Sequence, residues 1–98
     1  MSRKDDILTK LKSAKQDLQR FGVSKMGLFG SYSRDEQTDA SDIDLLVDFE
    51  PGRESYDNLM AVCDFFERLF INYKIDVVTK NGLSPHIGPR ILKEVNYV

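Results

Sequence analysis

Two aspartates separated by one residue give the clearest chemical signal in this sequence. Asp42 and Asp44 lie at the start of an apolar segment that predicts a β-strand over Ile43–Phe49. Side chains alternate between the two faces of a strand, so both carboxylates should project from one face, with β-carbons about 6 to 7 Å apart. The apolar neighbours then face the core. Oxygen ligands favour Mg²⁺ or Mn²⁺ over Zn²⁺, and we expect this pair to bind such a metal.

A second element upstream has the character of a phosphate site. Gly30 and Ser31 follow the short apolar run Lys25–Phe29, which predicts a buried strand. A glycine lets a ligand approach the backbone, a serine hydroxyl can donate a hydrogen bond, and the free N–H groups of a helix start bind phosphate. We therefore predict a short helix from Ser31 to about Glu36, with Arg34 adding positive charge one turn on. A phosphate site ten residues before a metal-binding strand describes a nucleoside triphosphate site.

A third carboxylate occurs at Asp76, inside the β-branched run Ile75–Thr79, which predicts another strand. A charged side chain in such a run needs a partner or water. If this strand lies beside Ile43–Phe49, three carboxylates converge. Two metal ions about 3.5 to 4 Å apart could then hold the attacking and leaving oxygens of an in-line displacement at phosphorus.

Ordinary structural roles are also open to each of these residues. Paired aspartates can lie on a solvated strand edge, and a glycine followed by serine commonly ends a strand and caps a helix. The charged residues have nearby alternatives as ion-pair partners: Glu36 or Asp39 for Arg34, and Lys74 for Asp76. We favour the site because all its parts occur together at this spacing.

The remaining pattern predicts the elements that must position this site. Apolar residues at helical spacing predict an amphipathic helix over residues 5–21, which Gly22 ends, and a second long helix over 56–70. After Ser84 and Pro85 we expect a short helix broken at Pro89, then an edge strand over residues 95–98. No repeats or linkers appear, which indicates one α/β domain spanning residues 1–98.

Composition excludes several classes of protein. The chain has 98 residues and a net charge of −2, which argues against nucleic-acid binding through bulk positive charge. That average conceals seven acids and no base between residues 35 and 50. Cys63 is the sole cysteine and His86 the sole histidine, which excludes an internal disulfide and a zinc set built on them. No apolar stretch is long enough for a membrane span, and we expect a cytoplasmic protein.

These residues carry a resemblance to a known family. Gly30-Ser31, ten intervening residues, Asp42-Ile-Asp44 and a later strand acid at Asp76 resemble the nucleotidyltransferase superfamily of the DNA polymerase β type. The small size and the Gly-Ser-Tyr-Ser-Arg … Ser-Asp-Ile-Asp-Leu-Leu-Val wording are similar to the minimal nucleotidyltransferases, the MNT antitoxins encoded beside HEPN-domain toxins. The resemblance covers most of the chain, from about residue 27 to residue 98.

The resemblance implies a fold and a set of roles. The fold is α+β, a mixed β-sheet flanked by helices, with an N-terminal helix over 1–22 and a catalytic core over 23–98. Gly30 and Ser31 would hold the triphosphate, with Arg34 beside them. The three aspartates would bind two Mg²⁺ ions, or Mn²⁺, and the one in the later strand would also help to deprotonate the acceptor. The implied catalytic and metal-binding residues are Asp42, Asp44 and Asp76.

The implied activity is transfer of AMP from ATP to a tyrosine hydroxyl of a HEPN ribonuclease toxin, which the transfer would silence. The chain departs from the common family pattern at two positions: Ser33 replaces a usual alanine, and Asp35 replaces a usual glycine. Two other functions remain open, an antitoxin that acts by occluding its toxin, and transfer to a small molecule such as an aminoglycoside.

Overall fold

A four-stranded mixed sheet and three α-helices make up the part of the chain that the computed structural model describes, residues 3–98. In chain order the elements are α1 (Arg3–Gln19), β1 (Val23–Phe29), β2 (Ile43–Phe49), α2 (Tyr56–Leu69), β3 (Ile75–Thr79), a 3₁₀ turn (Lys80–Gly82), α3 (Gly88–Glu94) and β4 (Asn96–Tyr97). The α+β fold with a mixed sheet, predicted from the sequence, is confirmed. Residues 1 and 2 of the predicted N-terminal segment 1–22 lie outside the described residues.

The two long helices follow the predicted apolar spacing. One face of α1 is buried, and Gly22 ends the segment with a left-handed φ of +86°, which a glycine adopts without steric cost. Helix α2 begins after Ser55, whose hydroxyl accepts a hydrogen bond from the backbone N–H of Asn58 at 3.1 Å. Their buried residues pack with those of the strands into one cluster, which includes Leu11, Leu18, Val62 and Phe66.

The strand order is β3-β2-β1-β4. Strand β1 is antiparallel to both of its neighbours, whereas β2 and β3 are parallel and are joined by the crossover through α2. Alternate residues of β2, Ile43, Leu45 and Val47, face the helices and are almost fully buried. Asp44 therefore lies on the other face of the sheet.

Three segments differ in detail from the predicted elements. Residues 31–35 form consecutive turns and not a short helix, because Asp35 adopts a left-handed φ of +56° and the N–H of Glu36 donates to the carbonyl of Ser31 at 2.9 Å. Asp42, which was expected to project from the same strand face as Asp44, lies immediately before β2. Near the C-terminus, Ser84 caps only a turn, and α3 starts later with Pro89 in its first turn.

No helix among residues 3–98 is both long enough and apolar enough to cross a membrane.

Candidate functional site

The sheet register brings the predicted site residues to one edge. Because β1 and β2 are antiparallel, the end of β1 lies beside the start of β2, with Phe29 opposite Asp44. Because β2 and β3 are parallel and in register, Asp44 is also opposite Asp76. The turn that begins at Gly30 therefore lies beside Asp44, with Asp76 on the other side of β2, and Asp42 enters the same edge from the preceding loop.

Gly30 and Asp44 are in direct contact. A β-carbon added at Gly30 would overlap Oδ2 of Asp44 and would lie 2.9 Å from its Cγ. Gly30 also has a left-handed φ of +77°, which disfavours any other residue. The glycine predicted from its chemistry is therefore needed twice, for its backbone angle and for the space that the Asp44 carboxylate fills.

The electrostatics of Asp44 reflect this crowding. The pKa of Asp44 is raised from 3.8 to about 6, first by burial and then by the nearby carboxylates of Asp76 and Asp42. Arg34 acts in the opposite direction and lowers this pKa. The ionised Asp44 carboxylate is thus held in an environment that has too little compensating positive charge.

The anion-binding turn already holds a carboxylate from the same chain. Oε2 of Glu94 accepts a hydrogen bond from the N–H of Gly30 at 2.9 Å and another from Nη1 of Arg34 at 2.7 Å. Nε of Arg34 donates to Glu36 at 2.8 Å. The pairing of Arg34 with Glu36, which the sequence left open as an alternative to phosphate binding, is therefore present, but the sequence reasoning missed Glu94. The one local signal was an acid at the C-terminal end of a helix, where the helix dipole disfavours negative charge.

Ser33, one of the two departures from the family pattern, has a defined structural role. Its hydroxyl is buried, donates to the carbonyl of Glu94 at 3.3 Å and accepts from Nδ2 of Asn96 at 2.6 Å. The other departure, Asp35, occupies the left-handed position for which glycine is best suited. Both departures lie in the turn between β1 and β2, outside the strands whose register sets Phe29 opposite Asp44.

A family model for the nucleotidyltransferase domain matches residues 8–98. This chain belongs to the nucleotidyltransferase family. Protein adenylyltransferase MntA of Thermococcus cleftensis is 38% identical over 95 residues, which cover 96% of this chain and 94% of that one. A Methanocaldococcus jannaschii protein assigned by name to the protein adenylyltransferases is 32% identical over 100 residues, which cover 100% of this chain and 97% of that protein.

A solved structure described as a minimal nucleotidyltransferase has the same fold. It superposes with a TM-score of 0.80 at 27% sequence identity, over 98% of this chain and 95% of that one. The resemblance to minimal nucleotidyltransferases, which the spacing of Gly30-Ser31 and Asp42-Ile-Asp44 carried, is confirmed.

The donor set of this nucleotidyltransferase fits a divalent cation in its chemistry. Asp44 is half-buried and has a raised pKa, while Asp42 and Asp76 are exposed acids that contribute to that rise. A cation among them would offset their mutual repulsion. Among residues 3–98, however, no three His, Cys, Asp or Glu side chains already converge into a ligand set. The metal-binding and nucleotide-binding roles of the individual residues stay predictions.

A cleft of about 490 Å³ opens beside Asp42 of the nucleotidyltransferase site. Tyr32 and Tyr73 also line it. The two tyrosine rings meet edge to face with centroids 6.1 Å apart, and the Tyr73 hydroxyl accepts a hydrogen bond from Nη1 of Arg3 at 2.7 Å. The cleft thus offers aromatic and charged surface next to Asp42.

Substitution of Gly30 tests the contact with Asp44. Gly30→Ala should lower the free energy of unfolding by about 1 to 3 kcal/mol more than Gly52→Ala does, measured by urea denaturation. Gly52 is the matched control, because its φ is +79° but a β-carbon there would meet nothing within 4 Å. Equal losses in the two variants would contradict a contact between Gly30 and the Asp44 carboxylate.

Because the pKa of Asp44 is raised, neutralising this side chain should increase the stability of the protein by an amount that depends on pH. Between pH 3.8 and about 6 the native state binds a proton that the unfolded state lacks, so the penalty for ionised Asp44 is complete only above about pH 6. In EDTA, Asp44→Asn should stabilise the protein by about 1 kcal/mol at pH 7.5, a figure reduced for the partial exposure of the group. The gain should disappear by about pH 4.

Asp48→Asn is the control for this measurement. Asp48 lies on the same face of β2, and its Oδ2 is 3.9 Å from Nζ of Lys80. Its neutralisation should give no such gain at pH 7.5. A destabilised Asp44→Asn protein at pH 7.5, or a gain that persists unchanged at pH 4, would show that ionised Asp44 carries no penalty in the native state.

Proposed function

We propose that this chain is a Mg²⁺-dependent protein adenylyltransferase that transfers AMP from ATP to a tyrosine hydroxyl of a HEPN ribonuclease toxin and so acts as its antitoxin. The observation that carries the proposal is the register of the sheet. It sets Asp76 opposite Asp44 and sets Asp44 beside the turn at Gly30, with Asp42 one residue outside the strand. Nucleotidyl transfer needs carboxylates and an anion site side by side in this way.

In the proposed reaction the acceptor oxygen attacks the α-phosphorus of ATP. The bond from the α-phosphorus to the bridging oxygen of the β-phosphate breaks, and pyrophosphate leaves. Asp76 is the proposed acceptor of the hydroxyl proton, since it is an exposed carboxylate at the open edge of the site. Gly30 and Ser31 bind the triphosphate through their backbone and hydroxyl groups, and Arg34 offsets its negative charge.

Two Mg²⁺ ions are the proposed cofactor, held by Asp42, Asp44 and Asp76. When bound, the cations would neutralise charge on the triphosphate and on the departing pyrophosphate. The raised pKa of Asp44 supports this part of the proposal, because three carboxylates in one small region are stabilised by a cation among them. The exposed positions of Asp42 and Asp76 leave both side chains free to rotate toward a common ion.

The choice of a protein acceptor is supported by two observations. The relatives named as protein adenylyltransferases align over nearly their whole length with this chain, so a domain of this size is common to them. Asp42 also lines an open cleft of about 490 Å³, which another protein's side chain can enter. The toxin and its tyrosine come from the resemblance to MNT antitoxins.

Transfer of label from α-labelled ATP tests the function directly. The chain is incubated with ATP, Mg²⁺ and the purified product of the gene beside its own, and AMP incorporation is measured by mass spectrometry. We expect labelling of a tyrosine that the double variant Asp42→Asn, Asp44→Asn lowers at least about 100-fold, as expected when charge stabilisation of the transition state is lost.

The matched control removes the same number of charges around the opposite end of β2 without touching the proposed site. Asp48→Asn combined with Glu50→Gln should keep labelling within about threefold of the wild type. No labelling by the wild type, together with toxin neutralisation that the aspartate double variant retains, would instead establish an antitoxin that acts by occlusion. Labelling of an aminoglycoside but not of protein would assign a small-molecule acceptor.

A further inference from the structure

We propose that the Glu94 carboxylate is a built-in competitor of the substrate triphosphate. The carboxylate occupies the anion position of the turn at Gly30, and it has to swing away before nucleotide binds. This inference rests on the proposed function, because it concerns the regulation of the same site. It assigns to Glu94 control over nucleotide affinity, a role that does not require any contact with the reacting atoms.

The contacts of Glu94 are those of a bound anion. A single oxygen, Oε2, accepts from a backbone N–H at a turn and from a guanidinium, at 2.9 and 2.7 Å. Phosphate oxygens are bound in proteins by the same two kinds of donor. Since Gly30 and Arg34 are the donors that the proposed function assigns to the triphosphate, the carboxylate and a phosphate compete for one position.

The charge of Glu94 also opposes the substrate at a distance. Its Oε2 is bonded to the N–H of Gly30, and the Asp44 carboxylate fills the space beside the same glycine, so the charge of Glu94 adds to the negative field of the acids. It ends α3, where the helix dipole offers no stabilisation for an anion. The N–H of Gly30 and the guanidinium of Arg34 compensate this charge, and both become available once the side chain leaves.

The local structure allows the side chain to move while the backbone stays. The backbone carbonyl of Glu94 accepts hydrogen bonds from the hydroxyl of Ser33 and from Nδ2 of Asn96, both at 3.3 Å. These contacts hold the end of α3 against the turn. The Glu94 side chain retains 22% of its exposure, so a change of rotamer can carry the carboxylate toward solvent without displacing the helix.

Binding of ATP with Mg²⁺ to the full chain, measured by calorimetry, tests this proposal. Glu94→Gln keeps the size of the side chain and removes its charge, and it should lower the Kd for Mg²⁺–ATP about tenfold. Glu36→Gln is the matched control. Glu36 also accepts a hydrogen bond from Arg34, at 2.8 Å, but from Nε, and it does not bond to the N–H of Gly30. This change should therefore move the Kd by less than about twofold.

The amide resonance of Gly30 in ¹⁵N NMR spectra gives a second readout. It should shift on Mg²⁺–ATP addition in the wild type, as the carboxylate is replaced by phosphate. Glu94→Asp, whose side chain is one methylene shorter, should also lower the Kd. It replaces Glu94→Gln in the test if that variant has an abnormal melting curve. A Kd that is unchanged or higher in both Glu94 variants, with normal binding by the wild type, would overturn the competitor role alone. If neither the wild type nor any of the variants binds Mg²⁺–ATP, both the competitor role and the proposed function are overturned.

Discussion

The close contact between the Cα of Gly30 and the carboxylate of Asp44 is the constraint on which the site depends. It exists because β1 ends where the antiparallel β2 begins, so that a turn and a strand acid must share one small volume. A side chain at Gly30 would push the carboxylate away, and a different register would move Asp44 to the helix-covered face. The same strand pairing therefore sets the geometry of both the anion-binding turn and the acids.

The same contact explains the electrostatics of the region. Bringing Asp44 against the backbone partly buries its charge, and the parallel pairing with β3 then adds Asp76 directly opposite it. The one guanidinium that lowers the pKa of Asp44, that of Arg34, is already bonded to Glu36 and Glu94. The site is thus arranged to gain stability from added positive charge, and an internal carboxylate holds the donors that a phosphate would use.

Local spacing was sufficient to predict most of this arrangement. Asp42, Asp44 and Gly30 were predictable because strand alternation and turn chemistry act over a few residues. The β-branched run around Asp76 predicted its strand, but its position beside Asp44 was conditional on the pairing of the two strands, which the structure supplies. Glu94 was not predictable, since its bond to Gly30 joins residues 64 apart in sequence. The turns over residues 31–35 were mistaken for a helix because the left-handed conformation of a non-glycine residue, Asp35, leaves no reliable mark in sequence.

The central claim is that Asp42, Asp44 and Asp76 bind divalent cations together with a nucleotide at the turn of Gly30. Crystals grown with Mn²⁺ and a non-hydrolysable ATP analogue test it most directly through anomalous difference maps. The account predicts Mn²⁺ peaks within about 2.5 Å of carboxylate oxygens of these aspartates, with the triphosphate against Gly30 and Ser31. Nucleotide bound elsewhere, or bound there without any Mn²⁺ peak at the aspartates, would contradict the account.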